Sequence, residues 1–171
     1  MKTTIILKKK DTNLSSFVSR FIILIIVFNT VIVLGQSNSC IAELKVEKDR
    51  NTRSTPADGT YYAMLISNKG NSAQVFSLSS LNITNCSNSD GSSSEKNVNL
   101  ESVFLDKNRN LIKKISVKSG ETISFFVHIL VPSNTPFDKW CCTQITANSI
   151  SCENYKVDTI LHTLFINPND N

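Results

Sequence analysis

The sequence predicts an all-β protein, a two-sheet antiparallel sandwich of seven or eight strands preceded by an N-terminal hydrophobic helix. Three observations carry this. After Gln36 no stretch keeps the period of an amphipathic helix. Short runs of β-branched and aromatic residues recur between clusters of Asn, Ser, Gly and Lys, the pattern of short strands joined by turns. One run, "TISFFVHILV", alternates strictly. Ile123, Phe125, Val127, Ile129 and Val131 fall on one side of it, and Thr122, Ser124, Phe126, His128 and Leu130 on the other. Each large side chain fully buried by such an alternation contributes roughly 2 kcal/mol.

Residues 1–35 form a separate region, read as a signal peptide or an N-terminal membrane anchor. Lys2, Lys8, Lys9, Lys10 and Arg20 stand against the single acid Asp11. An apolar run, "FIILIIVFNTVIVL", then precedes Gly35. A basic region, a short apolar core and a small residue at the cut describe an export signal cleaved between Gly35 and Gln36. The run from Phe21 to Leu34 is shorter than the ~18 residues of a spanning helix. If it is not cleaved, residues 17–35 are the anchor and the basic side stays cytoplasmic. Residues 36–171 are then the exported sandwich.

Within it, strands are expected near Ile41–Lys48, Thr60–Asn68, Ala73–Thr84, Val98–Leu105, Leu111–Val117, Thr122–Val131, Trp140–Ser149 and Tyr155–Ile166. "SNKGNS" and "VKSGE" supply turns from residues that tolerate positive φ or bond their own backbone. "NCSNSDGSSSEKN" is too polar to pack and reads as a loop. Pro132 ends its strand because it has no N–H to donate.

Charge narrows the partners. The chain holds 18 basic and 14 acidic residues, and removing the five basic and one acidic residue of the leader leaves 13 of each. A neutral exported part lacks the basic face that nucleic acid requires. "NRNLIKK" (Asn108 to Lys114) is a small basic cluster and reads as a solvated turn. No nucleic acid is expected as a partner, and a membrane only through an uncleaved N-terminal segment.

"TYYAMLISNKGNSAQVFSLSSLNIT", "VKSGETISFFVHILVPSNTPFDKW" and "TQITANS" together resemble bacterial immunoglobulin-like modules, exported sandwiches of the fibronectin type III or CARDB-like kind. The shared features are paired strands around an Asn-containing turn, a Gly turn before an alternating strand ending in Val-Pro, and an aromatic strand ending in "A-x-S". The likeness runs from about Ile41 to Asn167, and Ser119-Gly120 stands where such modules usually have Pro-Gly. The composition is similar to exported proteins of flavobacteria-like organisms. The resemblance implies an immunoglobulin-like fold and says little of function.

Export implies oxidising conditions, in which paired cysteines usually form disulfides. Cys142 and Cys152 are close in sequence, but a straight strand from Cys142 to Ser149 already separates its ends by about 23 Å. A disulfide needs Cα atoms within about 7 Å. The immunoglobulin topology implies other partners. It runs Ala73–Thr84 antiparallel to Trp140–Ser149, bringing Cys86 beside Cys141 and Cys142. It also sets Cys152 at the end where Cys40 begins the first strand. The implied pairs are Cys40–Cys152 and Cys86 with Cys141 or Cys142, and side-chain parity then selects Cys86–Cys142. Cys141 shares the parity of Ile145 and Ala147, which makes it the core-facing free thiol, while Cys142 faces outward with Trp140.

Nothing forms a catalytic constellation. The adjacent cysteines lack a Cys-x-x-Cys spacing and metal-ligand spacing. His128 and His162 fall on opposite sheets and cannot share a proton or a metal. No serine sits in a Gly-x-Ser-x-Gly context, and Asp90-Gly91 reads as a turn, not a calcium loop. Asn82-Ile-Thr and Asn85-Cys-Ser match a glycosylation pattern that matters only in a eukaryotic secretory pathway. Trp140, the single tryptophan, is a packing residue first and a ligand-stacking platform second. No cofactor and no enzymatic activity are expected. The expected role is binding or presenting an unknown protein or glycan at the cell envelope, in the periplasm, at the surface or outside. The alternatives are an accessory subunit of an extracellular hydrolase or secretion assembly and, further off, a small thiol oxidoreductase using Cys141 and Cys142.

Overall fold

A computed structural model of the chain describes residues 40–83 and 97–168. They belong to the second of two compact units, Asn38–Asn171. The leader, its cleavage point and Cys86 lie outside the described residues. Nine strands follow in order: β1 (Ala42–Val46), β2 (Thr52–Thr55), β3 (Thr60–Asn68), β4 (Gln74–Ile83), β5 (Glu101–Leu105), β6 (Lys114–Val117), β7 (Thr122–Leu130), β8 (Lys139–Ser149) and β9 (Lys156–Phe165). They build two facing sheets, one ordered β1-β3-β7-β5 and the other β2-β9-β8-β4-β6. The fold is an immunoglobulin-like sandwich, antiparallel except where β2 runs parallel to β9.

The alternating strand behaves as its pattern requires. Phe125, Val127 and Ile129 of β7 are buried, and they meet Tyr62, Met64 and Ile66 of β3 in the same inner layer. The other sheet answers with Phe76, Ile145, Ala147 and Leu161. Buried hydrogen bonds join the sheets at Asn68, whose Nδ2 donates to the Val117 carbonyl at 3.0 Å, and at Tyr62. The Tyr62 hydroxyl donates to the His162 carbonyl at 2.8 Å and shares a 2.9 Å bond with Thr163 Oγ1. Burial pushes its pKa up to about 12.

One strand is unexpected and two expected boundaries shift, each for a physical reason. β2, "TRST", was not expected, because four polar residues carry no apolar alternation; it forms by pairing with β9, from Thr52 opposite His162 to Thr55 opposite Phe165. β5 begins at Glu101 instead of Val98 because Val98 N–H still donates to the Trp140 carbonyl of the other sheet. The chain crosses between sheets from Val98 to Glu101. It crosses back over Leu111–Lys113: Ile112 N–H donates to Phe104, and Lys113 accepts from Leu78. That crossing delays β6 to Lys114. Among the described residues, no helix is long and apolar enough to cross a membrane.

Candidate binding surface

The outer face of the four-stranded sheet carries a group of side chains that sequence reasoning did not assemble. β3 and β7 pair with Tyr61 opposite His128 and Ala63 opposite Phe126. The Tyr61 and His128 rings stack with centroids 3.9 Å apart and planes 8° apart. Gly59 permits this close approach. Its φ is +88°, and a Cβ there would collide with the Ile129 carbonyl oxygen and approach His128 Nε2. That Nε2 is buried without a partner.

Onto this stack the turn after β5 places an arginine. Asp106 closes the turn by accepting from the backbone N–H groups of Asn108 and Asn110, at 2.8 and 2.9 Å, and from Asn110 Nδ2 at 3.1 Å. The Asn110 bonds are the main reason its carboxyl titrates below the usual range. Arg109 takes a left-handed φ of 66° in this turn, a conformation that costs a non-glycine residue stability. The turn lays its guanidinium 4.1 Å from the Tyr61 ring centroid and 4.4 Å from that of Phe126. Both contacts are within cation–π range. The ion pairs among the described residues join Glu43 to Lys45 and Lys69, so no carboxylate there engages Arg109. Tyr61 is 39% exposed and Arg109 is exposed, while Leu65, Val103 and Leu130 lie half-buried around them. A guanidinium braced on two rings keeps its N–H edge for a carboxylate, which it can grip through two bonds.

The outer face of the five-stranded sheet is different. Ile83, Cys142, His162 and Thr52 share one line across four strands. Cys142 was expected to point outward into solvent with Trp140. It is on the outer side, yet it is fully buried, with Sγ 3.5 Å from His162 Nδ1. Alternation assigns a side of the sheet but not whether that side is covered. Cys142 is disulfide-bonded; its expected partner, Cys86, lies outside the described residues. Cys141 is free, faces the core and is fully buried. Its Sγ reaches Asn82 Oδ1 at 3.4 Å and Thr143 Oγ1 at 3.5 Å, and burial pushes its thiol up. Such a thiol is a poor nucleophile. Cys40 and Cys152 are joined, with Cα atoms 6.4 Å apart. Trp140 is half-buried opposite Leu164 and takes no part in the aromatic stack of the other sheet.

His128 and His162 stand on β7 and β9, in opposite sheets. Among the described residues, no three His, Cys, Asp or Glu side chains are placed to hold a metal. The signals that sequence reasoning left unused were Asp106 before "KNRN", a turn-closing acid, and Tyr61 at the exposed phase of its strand.

No protein-family model and no curated protein matches the chain. The chain is similar to solved structures only at low identity and with TM-scores under 0.5. The chaperone DraB of E. coli is 8% identical, with a TM-score of 0.43, over 75% of this chain and 56% of that one. A family 123 glycoside hydrolase from Clostridium perfringens is 15% identical, with a TM-score of 0.43, over 75% of this chain and 28% of the hydrolase. A PapD-like domain of human CEP192 is 9% identical, with a TM-score of 0.40, over 77% of this chain and 87% of that one. The chain thus spans about half of the chaperone's length and under a third of the hydrolase's.

Proposed function

We propose that the chain is an exported, non-enzymatic module, of the fibronectin type III or CARDB-like kind, that binds an acidic surface of an envelope protein. The contact is the outer face of the four-stranded sheet, with Arg109 at its centre. The single observation behind this is the arginine itself. It is held in a strained turn, braced by Tyr61 and Phe126, and engaged by no carboxylate among the described residues. Lys107, exposed in the same turn, adds a second positive charge. The Cys40–Cys152 bridge supports export, since such bonds persist in oxidising compartments.

Capture from an envelope extract tests the reading. The wild-type chain should retain a protein that salt elutes and that Arg109→Glu, still cooperatively folded, fails to retain. Retention that ignores both salt and Arg109→Glu would defeat the proposal. So would Arg109-dependent retention of an acidic glycan in place of a protein.

A further inference from the structure

Of the large apolar side chains exposed among the described residues, Leu111 is the most open, at 75%. A single exposed leucine is ordinary, but this one stands among charges of one sign. Lys107, Arg109, Lys113 and Lys114, on either side of it in the chain, are all exposed. Asp106, the acid beside them, commits its carboxylate to closing the turn. The ion pairs among the described residues include none of these four cations.

Strand pairing determines the face on which Leu111 lies. It bridges Leu105 in an antiparallel pair, and Leu105 pairs in turn with Phe126 of β7. Residues opposite one another in such pairs project to the same side. Leu111, Leu105 and Phe126 therefore form one row on the outer face of the four-stranded sheet, continued by Ala63 of β3. Arg109 lays its guanidinium on the same face, 4.4 Å from the Phe126 ring centroid. Leu105 is buried, so Leu111 is the open apolar end of the row. Two strand spacings put it about 10 Å from Phe126.

We propose that the partner segment received by this face is extended and carries an acidic residue two positions from a large apolar one. This rests on the binding reading above and specifies what the partner presents there. The carboxylate takes the N–H edge of Arg109, and the apolar side chain lies on Leu111. Residues two apart in an extended segment point to one side with their backbones about 6.6 Å apart, and their side chains supply the remaining reach. The four cations set the sign of the partner, since Lys107, Lys113 and Lys114 steer an acidic segment towards Arg109 and repel a basic one. One leucine offers too little apolar area to hold the chain on a bilayer, which favours a protein segment over an anionic lipid surface.

The probe is an acetylated, amidated peptide with Asp-Thr-Leu at the centre of a Gly-Ser background, titrated into the folded chain. Control peptides carry Asn-Thr-Leu or Asp-Thr-Ser. Each control should bind at least about tenfold more weakly, the loss expected for one ionic pair or one buried leucine. Leu111→Ser should reduce binding of the first peptide to the level of the Asp-Thr-Ser control, and Leu111→Phe should keep it. Arg109→Ala should reduce it to the level of the Asn-Thr-Leu control. Binding that depends on Arg109 but ignores both Leu111→Ser and the peptide's leucine would overturn this inference and leave the binding reading standing. Binding that ignores Arg109→Ala would overturn both. Capture of the chain by phosphatidylserine vesicles through Leu111, with the three peptides bound alike or not at all, would overturn the inference in favour of a lipid surface.

Discussion

The two outer faces of the sandwich each carry a histidine beside an aromatic residue, and they use it in opposite ways. On the five-stranded sheet His162 is buried against the disulfide-bonded Cys142, with Trp140 half-buried two residues away on β8. On the four-stranded sheet His128 stacks on a Tyr61 that is open to solvent, under an arginine delivered by a strained turn. The first face commits its polar and sulfur groups to internal partners and so serves stability. The second holds an exposed guanidinium on two aromatic rings, with no carboxylate among the described residues engaging it. A residue type alone does not distinguish these roles; its partners do.

The largest expected effect breaks the committed face. Cys142→Ser should lower stability by about 2–4 kcal/mol, the usual cost of losing a bridge that closes a long loop. Cys141→Ala should cost less, since it removes only packing. Denaturant titration of both variants checks the contrast, and equal losses would mean the two adjacent cysteines are not divided between bridge and core.

Next in size is Gly59→Ala, which acts on the open face. The left-handed φ and the collision with Ile129 should together cost at least about 1–3 kcal/mol and disturb the Tyr61–His128 stack. Thermal unfolding and the tyrosine near-ultraviolet signal should move together. A loss of stability with that signal unchanged would separate the glycine from the stack.

Tyr62→Phe probes what joins the two sheets. Losing the hydroxyl removes its bonds to the His162 carbonyl and Thr163 and should cost about 1–2 kcal/mol. Its sign with pH is fixed. The folded-state pKa is raised from 10.0 to about 12, so the stability it contributes is whole below pH 10 and is lost as pH rises towards 12. Unfolding curves taken between pH 9 and 12 should therefore fall more steeply for wild type than for Tyr62→Phe. Parallel curves would mean that Tyr62 does not control this range.

These comparisons also show what could be read in advance. The alternation of "TISFFVHILV" determined which side chains of β7 reach the core, because a period of two needs no knowledge of neighbours. The immunoglobulin topology that the resemblance implied placed Cys152 beside Cys40, where the bridge is found. β2 was not legible, since "TRST" becomes a strand only through β9. The Tyr61, His128 and Arg109 cluster was not legible either. Its members come from three parts of the chain, and only the β3–β7 register and the Asp106 turn bring them together. Trp140 drew notice as the single tryptophan, yet its neighbours leave it half-buried on the committed face.

The smallest effect on stability belongs to the residue with the largest expected effect on binding. Arg109→Ala should lower the unfolding free energy by only about 0.5–1 kcal/mol, the usual worth of exposed cation–π contacts. The most direct measurement is therefore salt-sensitive retention of the envelope partner by wild type, Arg109→Ala and Trp140→Ala, each at equal folded concentration. The account predicts that Arg109→Ala loses retention and Trp140→Ala keeps it. Loss with Trp140→Ala and full retention with Arg109→Ala would place the binding face on the other sheet and contradict the account.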